Sequence, residues 1–199
     1  MHRLLFLGAL ALVTGFVAFP AARAVEASTV RKLDLEGLVE HAELVLEARV
    51  LGAEPGLDEH GRIVTRYTLA VARTLRGAHE AVRTMSVPGG VLPNGRGLVI
   101  PGLPVLAAGE EALLFLTSES RAGVRLPVGL SQGRLRVARA ANGAKRFVRE
   151  HGAVEFVDAA GHTVPAPTAV ETFDYAATIA RVEAACAARA ERERAGGRR

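Results

Sequence analysis

The 199-residue chain is poor in several residue types on which common classes of site depend. It has one cysteine, two lysines, two tyrosines and no tryptophan. A single cysteine excludes an intramolecular disulfide and a thiolate-rich zinc centre. The scarcity of aromatic side chains argues against the base-stacking surfaces of proteins that bind single-stranded nucleic acid. Composition therefore favours neither a disulfide scaffold, nor a zinc domain, nor a nucleic-acid-binding protein.

The first 24 residues are typical of a signal peptide. Arg3 supplies a positive charge, an apolar run covers 4–19, and the sequence ARA at 22–24 has the small-x-small pattern of a cleavage site. We therefore expect an exported protein, periplasmic or extracellular, with no stable membrane insertion after cleavage. An uncleaved membrane anchor is the alternative, because the run approaches the length that spans a bilayer. Pro20 favours cleavage, and the absence of a nearby cysteine excludes a lipoprotein.

Removal of residues 1–24 leaves enough chain for one domain. We expect a β-barrel domain at 25–169, followed by a C-terminal helix and basic tail at 170–199 that pack on it or extend from it. Loss of Arg3 and Arg23 lowers the formal charge from +4 to +2, and the tail from Arg189 onward holds the excess. A solvated helix end is the favoured interpretation of this tail. A tether to anionic membranes, as in an envelope structural component, is the alternative.

Residue periodicity predicts a mainly β chain. Asp34 is placed to cap a short helix, and 62–76 alternates apolar and polar residues as one long strand. The sequences DEHG at 58–61 and Asn142-Gly143 predict turns. A long antiparallel strand that bends is typical of a small barrel, so we expect an antiparallel OB-like barrel with a short N-terminal helix and a C-terminal helix. The other predicted strands are 44–51, 82–87, 112–117, 124–128, 134–139, 145–148 and 154–157.

The C-terminal helix is predicted to run from about Val170 to Glu193. Tyr175, Ile179, Val182 and Cys186 fall on one apolar stripe of this helix. A lone cysteine in such a stripe is commonly a small core residue. A reactive or intermolecular thiol at Cys186 is the alternative.

The sequence GLSQG at 129–133 matches the G-x-S-x-G nucleophile elbow. The elbow requires a helix after the serine, whereas 134–139 alternates like a strand, so a tight turn is the favoured interpretation. A secreted serine hydrolase that uses Ser131 remains the alternative. The histidines that follow the signal segment are scattered without metal-ligand spacing. We therefore predict no catalytic residue, no metal site and no cofactor.

The segment 88–102 is rich in glycine and proline and shows no strand or helix period. It lacks the G-K-[ST] ending of a phosphate-binding loop. Long loops in compact domains are often functional, so we predict that this one forms the contact surface. The candidate binding residues are Gly89, Gly90, Asn94, Arg96 and Gly97, with glycines admitting a partner's backbone and Asn94 and Arg96 supplying hydrogen bonds.

Several segments together resemble a group of uncharacterised exported bacterial proteins. They are LVEHAELV at 38–45, TRYTL at 65–69, LRG at 75–77, VPGG at 87–90, PGLP at 101–104, GEEALLFL at 109–116 and VGLSQG at 128–133. The resemblance covers about 33–140 and implies export and a shared fold, with no assigned activity. The order of elements also resembles the OB-type barrel of netrin-like domains, which include tissue inhibitors of metalloproteases. Those inhibitors chelate zinc through an N-terminal cysteine, which a chain beginning near Val25 lacks.

These observations lead to one expectation about function. We expect a secreted or periplasmic, non-enzymatic binding module that contacts a protein partner, such as an exported protease, through 88–102.

Overall fold

The computed structural model describes residues 28–152, 154–167 and 170–197, so the predicted signal peptide at 1–24 lies outside the described residues. The described chain has two α-helices, one 3-10 turn and eleven strands. The helices are α1 (Leu35–His41) and α2 (Tyr175–Gly196), and the 3-10 turn is Leu130–Gly133. The strands are β1 (Ser28–Arg31), β2 (Leu44–Leu57), β3 (Ile63–Arg76), β4 (Val82–Pro88), β5 (Gly90–Val91), β6 (Gly97–Leu98), β7 (Glu111–Leu116), β8 (Arg134–Arg139), β9 (Lys145–Glu150), β10 (Val154–Val157) and β11 (Val170–Asp174).

Seven strands form one antiparallel sheet in the order β11-β9-β8-β7-β2-β3-β4. Strands β5 and β6 form a separate antiparallel ribbon, and β1 pairs with β10 in parallel. The prediction of a mainly β chain with antiparallel pairing is thus confirmed. The parallel pair was not predicted, because β1 lies at the start of the described chain and its partner lies more than a hundred residues later.

Strands β2 and β3 are each 14 residues long and pair along nearly their whole length, from Val45–Arg76 to Leu57–Ile63. Their ladder shifts register between Val45 and Leu46, between Glu47 and Ala48, and between Val50 and Gly52. Irregularities of this kind increase the local twist and bend a strand. The long predicted strand at 62–76 is confirmed, and the predicted 44–51 strand continues to Leu57.

The sheet buries an apolar cluster on each face. On one face, α1 and α2 cover side chains that include Val45, Phe115 and Phe147. On the other, Leu46, Leu69 and ten further residues form a second cluster with no helix among its members. Residues 44–48 of β2 and most of β7 are buried on both faces of the sheet, so Glu47 is buried although it lies on the face opposite Leu46.

The α1 helix begins as predicted, because the Asp34 side chain accepts a hydrogen bond from the Gly37 amide at 2.8 Å. The C-terminal helix begins at Tyr175, not at Val170 as predicted. Residues Val170–Asp174 instead form the edge strand β11, since they pair with β9, and Asp174 caps the helix. The predicted apolar stripe is confirmed, and Cys186 is buried in the first cluster.

The charged end of α2 packs on the domain. Arg189 donates to the Val39 and Ala42 carbonyls of α1, each at 2.6 Å, and its side chain is 11% exposed. Arg181 pairs with Glu36 of α1. The expectation of a solvated basic end is therefore wrong for Arg189, because its guanidinium is bound to these carbonyls.

Two further predictions need correction or refinement. Residues 124–128 do not form a strand, because only Val124 and Pro127 make isolated bridges. The segment 88–102, predicted to lack regular structure, contains the short β5–β6 ribbon. The described part of the chain includes no helix that is both long and apolar enough to cross a membrane.

Candidate functional site

A largely apolar cavity lies where 88–105 folds over the C-terminal half of β2 and the N-terminal half of β3. We call it the apolar groove, and its volume is about 300 Å³. Pro55 of β2 and Tyr67 of β3 form one wall, and Leu98, Ile100 and Leu103 form the other. The remaining lining residues are Ala53, Thr65, Val87, Pro88, Gly89, Gly90, Val91, Val99, Pro104 and Val105. The groove therefore presents mainly aliphatic carbon to whatever enters it.

Four aliphatic side chains of the groove stand unusually exposed. Val99 is 82% and Val105 78% exposed, and Val91 and Leu98 are also exposed. Single exposed aliphatic residues are common, but a contiguous apolar patch is typical of an interaction site. These four residues line the same groove, so they form a contiguous apolar patch.

The structure separates the five predicted binding residues into two groups. Gly89 and Gly90 line the groove, whereas Asn94, Arg96 and Gly97 belong to the exposed end of the β5–β6 ribbon. The Asn94 side chain accepts a hydrogen bond from the Arg96 amide at 3.1 Å. Asn94 thus holds the ribbon's turn, and the guanidinium of Arg96 extends beside it without a hydrogen bond to the described residues.

The two groove glycines serve the chain's own packing. Their φ angles are +103° at Gly89 and +130° at Gly90, a region that side chains disfavour. A Cβ on Gly90 would lie 2.5 Å from the Thr65 hydroxyl oxygen. That hydroxyl in turn donates to the Gly89 carbonyl at 2.8 Å. Gly90 therefore lets Thr65 of β3 approach closely, and Gly89 does the same for the Leu98 carbonyl.

The groove is anchored to the second cluster through Tyr67. Its ring is buried, and its hydroxyl oxygen accepts a hydrogen bond from the Leu106 amide at 3.4 Å. Burial raises the pKa of Tyr67. The Tyr67 hydroxyl thereby links Leu106, a member of the second cluster, to β3.

Sequence reasoning missed Val99 and Val105, the two most exposed residues of the groove. Both stand in a stretch without strand or helix period, where alternation cannot tell buried from exposed positions. The only sequence signal was the density of proline and glycine at 88–104, which indicates an irregular path. It does not indicate which side chains that path exposes.

Ser131 occupies the 3-10 turn between Gly129 and β8, which fits the predicted tight turn. The residue is 4% exposed, and its hydroxyl oxygen accepts a hydrogen bond from the Gly152 amide at 3.4 Å. The neighbouring His151 directs its Nε2 to Glu171, 2.9 Å away, and its buried Nδ1 has no hydrogen-bond partner. The serine therefore contributes to packing, with no hydrogen bond to that histidine.

Gln132 explains why this turn is held so firmly. Its side chain is 1% exposed, accepts from the Leu33 amide at 2.8 Å and donates to the Arg31 carbonyl at 2.9 Å. The GLSQG segment thus fastens the connection between β1 and α1 to the sheet. Within the described ranges, no group of three or more histidine, cysteine or acidic residues is arranged to hold a metal ion.

Comparison with known proteins gives no relative from which to transfer a function: no protein-family model and no curated protein matches this chain.

Proposed function

We propose that the chain is an exported, non-enzymatic binding module whose apolar groove receives an extended segment of a protein partner. An exported protease is the kind of partner that the netrin-like resemblance suggests. The observation that carries the proposal is the exposure of Val99 and Val105 at the mouth of a groove lined mainly by aliphatic carbon. Burial of such surface in a complex is favourable at about 25 cal/mol per Å².

The exposed backbone beside these valines supports an extended partner segment. Within the described residues, the Val99 and Val105 amides donate no backbone hydrogen bond outside the strand ladders, and neither residue belongs to a strand. An extended peptide supplies acceptors to such amides and places alternate side chains in a groove. The site therefore suits an aliphatic, extended stretch of protein better than a rigid helix.

We further propose that the curved sheet is an OB-like, partly closed barrel. Three observations support it: the length of β2 and β3, the register shifts in their ladder, and a second apolar cluster on the sheet face opposite the helices. OB-type barrels bind through their loops and one open sheet face. The groove, built from the ends of two long strands and a loop, is a site of that kind.

Export and cleavage are tested by identifying the first residue of the mature chain. Expression of residues 1–199 in a bacterial host, followed by N-terminal sequencing of the protein released from the envelope, should show a start near Val25. Retention of residues 1–24 on membrane-bound protein would support the anchor and contradict cleavage.

Binding is tested by capture followed by reconstitution. Mature protein is incubated with envelope and secreted extract, and a retained protein is then purified and its affinity for the module measured alone. The double variant V99S/V105S should weaken that affinity at least tenfold. The matched control is V82S/V170S, which alters two other exposed valines, 57% and 54% exposed, at the two edges of the sheet. Equal affinity of both variants would overturn the proposed site.

A further inference from the structure

A second pocket, of mixed charge, lies on the helix-covered face of the sheet. We call it the Lys145 pocket, and its volume is about 330 Å³. It lies beyond the N-terminus of α2, where the helix no longer covers the sheet and the small side chains of β3 form its floor. The charged residues at its wall are Glu47, Arg49, Glu111, Arg139 and Lys145.

The two carboxylates of the pocket are already occupied. Glu47 has a side chain only 7% exposed, and both of its oxygens accept from the Tyr175 hydroxyl, at 2.7 and 2.8 Å. Burial and the adjacent carboxylate raise the pKa of Tyr175 to about 12. Glu111 accepts from Arg139 at 3.1 and 3.2 Å. A cationic ligand would therefore meet carboxylates that have partners.

The donors of the pocket are less occupied. The Lys145 ammonium lies 3.5 Å from Glu111 and 3.8 Å from Glu47, and 5.1 Å above the Tyr175 ring. These distances exceed those of a short charged hydrogen bond. Arg49 is exposed and forms no ion pair with the described residues. Three cations thus face two carboxylates, and the exposed Arg49 and the 32%-exposed Lys145 side chain remain accessible to a further acceptor.

We propose that the Lys145 pocket binds a small ligand through an oxyanion, a carboxylate or a phosphate group. The anion accepts from the Lys145 ammonium and the Arg49 guanidinium. Glu47 and Tyr175 hold the lysine in place and exclude further cations. The pocket is separate from the apolar groove, so this inference stands independently of the protein partner.

The rarity of lysine gives a direct assay. Lys145 and Lys32 are the only lysines in the chain, and Lys32 is exposed at the end of β1. Folded protein is acylated with a water-soluble active ester, and each lysine is followed by peptide mass spectrometry. Pyrophosphate and citrate are titrated in separate arms at constant ionic strength, so that phosphate and carboxylate recognition are compared.

We expect one of the two anions to slow acylation of Lys145 saturably, by about tenfold when its concentration is ten times its Kd. Acylation of Lys32 should stay constant. The variant R49Q should raise the concentration needed for protection at least fivefold, whereas R121Q, at an exposed arginine outside the pocket, should not. The proposal is overturned if neither anion slows the acylation of Lys145 more than that of Lys32. It is also overturned if R49Q and R121Q need the same anion concentration to protect Lys145.

Discussion

The interaction between Arg189 and α1 gives the sharpest test of the packing between the two ends of the chain. The guanidinium reaches across from α2 to the last carbonyls of α1, Val39 and Ala42, and also pairs with Glu43 and Glu193. Helix C-termini leave their final carbonyls without intrahelical partners. The Val39 carbonyl also accepts from the Ala42 amide and the Ala42 carbonyl from Arg76 Nε, so the Arg189→Ala variant should remove the charged donor that Arg189 adds to each carbonyl.

The expected loss follows from the separate contacts. A hydrogen bond to a charged donor contributes about 1.5–3 kcal/mol, and favourable placement at the helix terminus about 0.3–1 kcal/mol. The ion pairs to half-exposed glutamates add about 0–1 kcal/mol. These terms overlap, so we expect R189A to lower the free energy of unfolding by about 2–4 kcal/mol.

Urea unfolding of mature protein measures this loss. At a slope of about 2 kcal/mol per molar urea, the midpoint should fall by about 1–2 M. The control is R192A, because within the described residues Arg192 pairs only with exposed Glu40, so its loss should cost little. R189K, which keeps the charge but loses the forked donor, should fall between them. A midpoint for R189A equal to that of R192A would refute the capping role.

Three other perturbations test separate parts of the fold. Gly90→Ala should lower the free energy of unfolding by about 1 kcal/mol or more, because Gly90 has a positive φ and lies close to Thr65. Gly56→Ala is the control, since Gly56 has open space around it. Equal urea midpoints of the two variants would contradict this prediction. Glu171 is partly buried, but its bonds to His151 and Arg149 outweigh that cost and lower its pKa below 4.5. A carboxylate whose pKa is lowered by folding stabilises the folded state at pH values above its unfolded pKa. The difference in unfolding free energy between the wild type and E171Q should therefore be largest at pH 7 and shrink as the pH falls below 4.5. A difference that does not change with pH would refute the assignment. Burial raises the pKa of the Cys186 thiol, so a thiol reagent should label folded protein far more slowly than protein in urea, and equal rates would contradict its core position.

Local chemistry was enough to predict the elements that depend on neighbouring residues. Asp34 marks the start of α1, and Asn142-Gly143 marks the turn between β8 and β9, because capping and turn formation involve only a few adjacent residues. The long β3 strand followed from simple alternation. Each of these signals lies within the segment whose structure it determines.

Features set by distant partners were not predictable in this way. Val170–Asp174 carries a helical pattern into α2, but pairing with β9 makes it a strand. Glu47 looks like a solvent-facing strand residue, yet Tyr175, 128 residues away, buries it and donates to it. The apolar groove is similar, because its walls come from β2, β3 and 88–105, and only the fold brings their side chains together.

The pairing of the first helix with the last also has a kinetic consequence. Arg181 and Glu36 are 145 residues apart in sequence, and Ser28 of β1 pairs with Val154 of β10, 154 − 28 = 126 residues later. Contacts this distant form only after a large entropic cost of loop closure, and they slow folding. In the nascent chain, α1 can pack against the sheet but lacks its contacts with α2 until the end of the chain has been made. The first apolar cluster is therefore completed only after the C-terminal helix has been synthesised, because Ile179, Val182 and Cys186 belong to it.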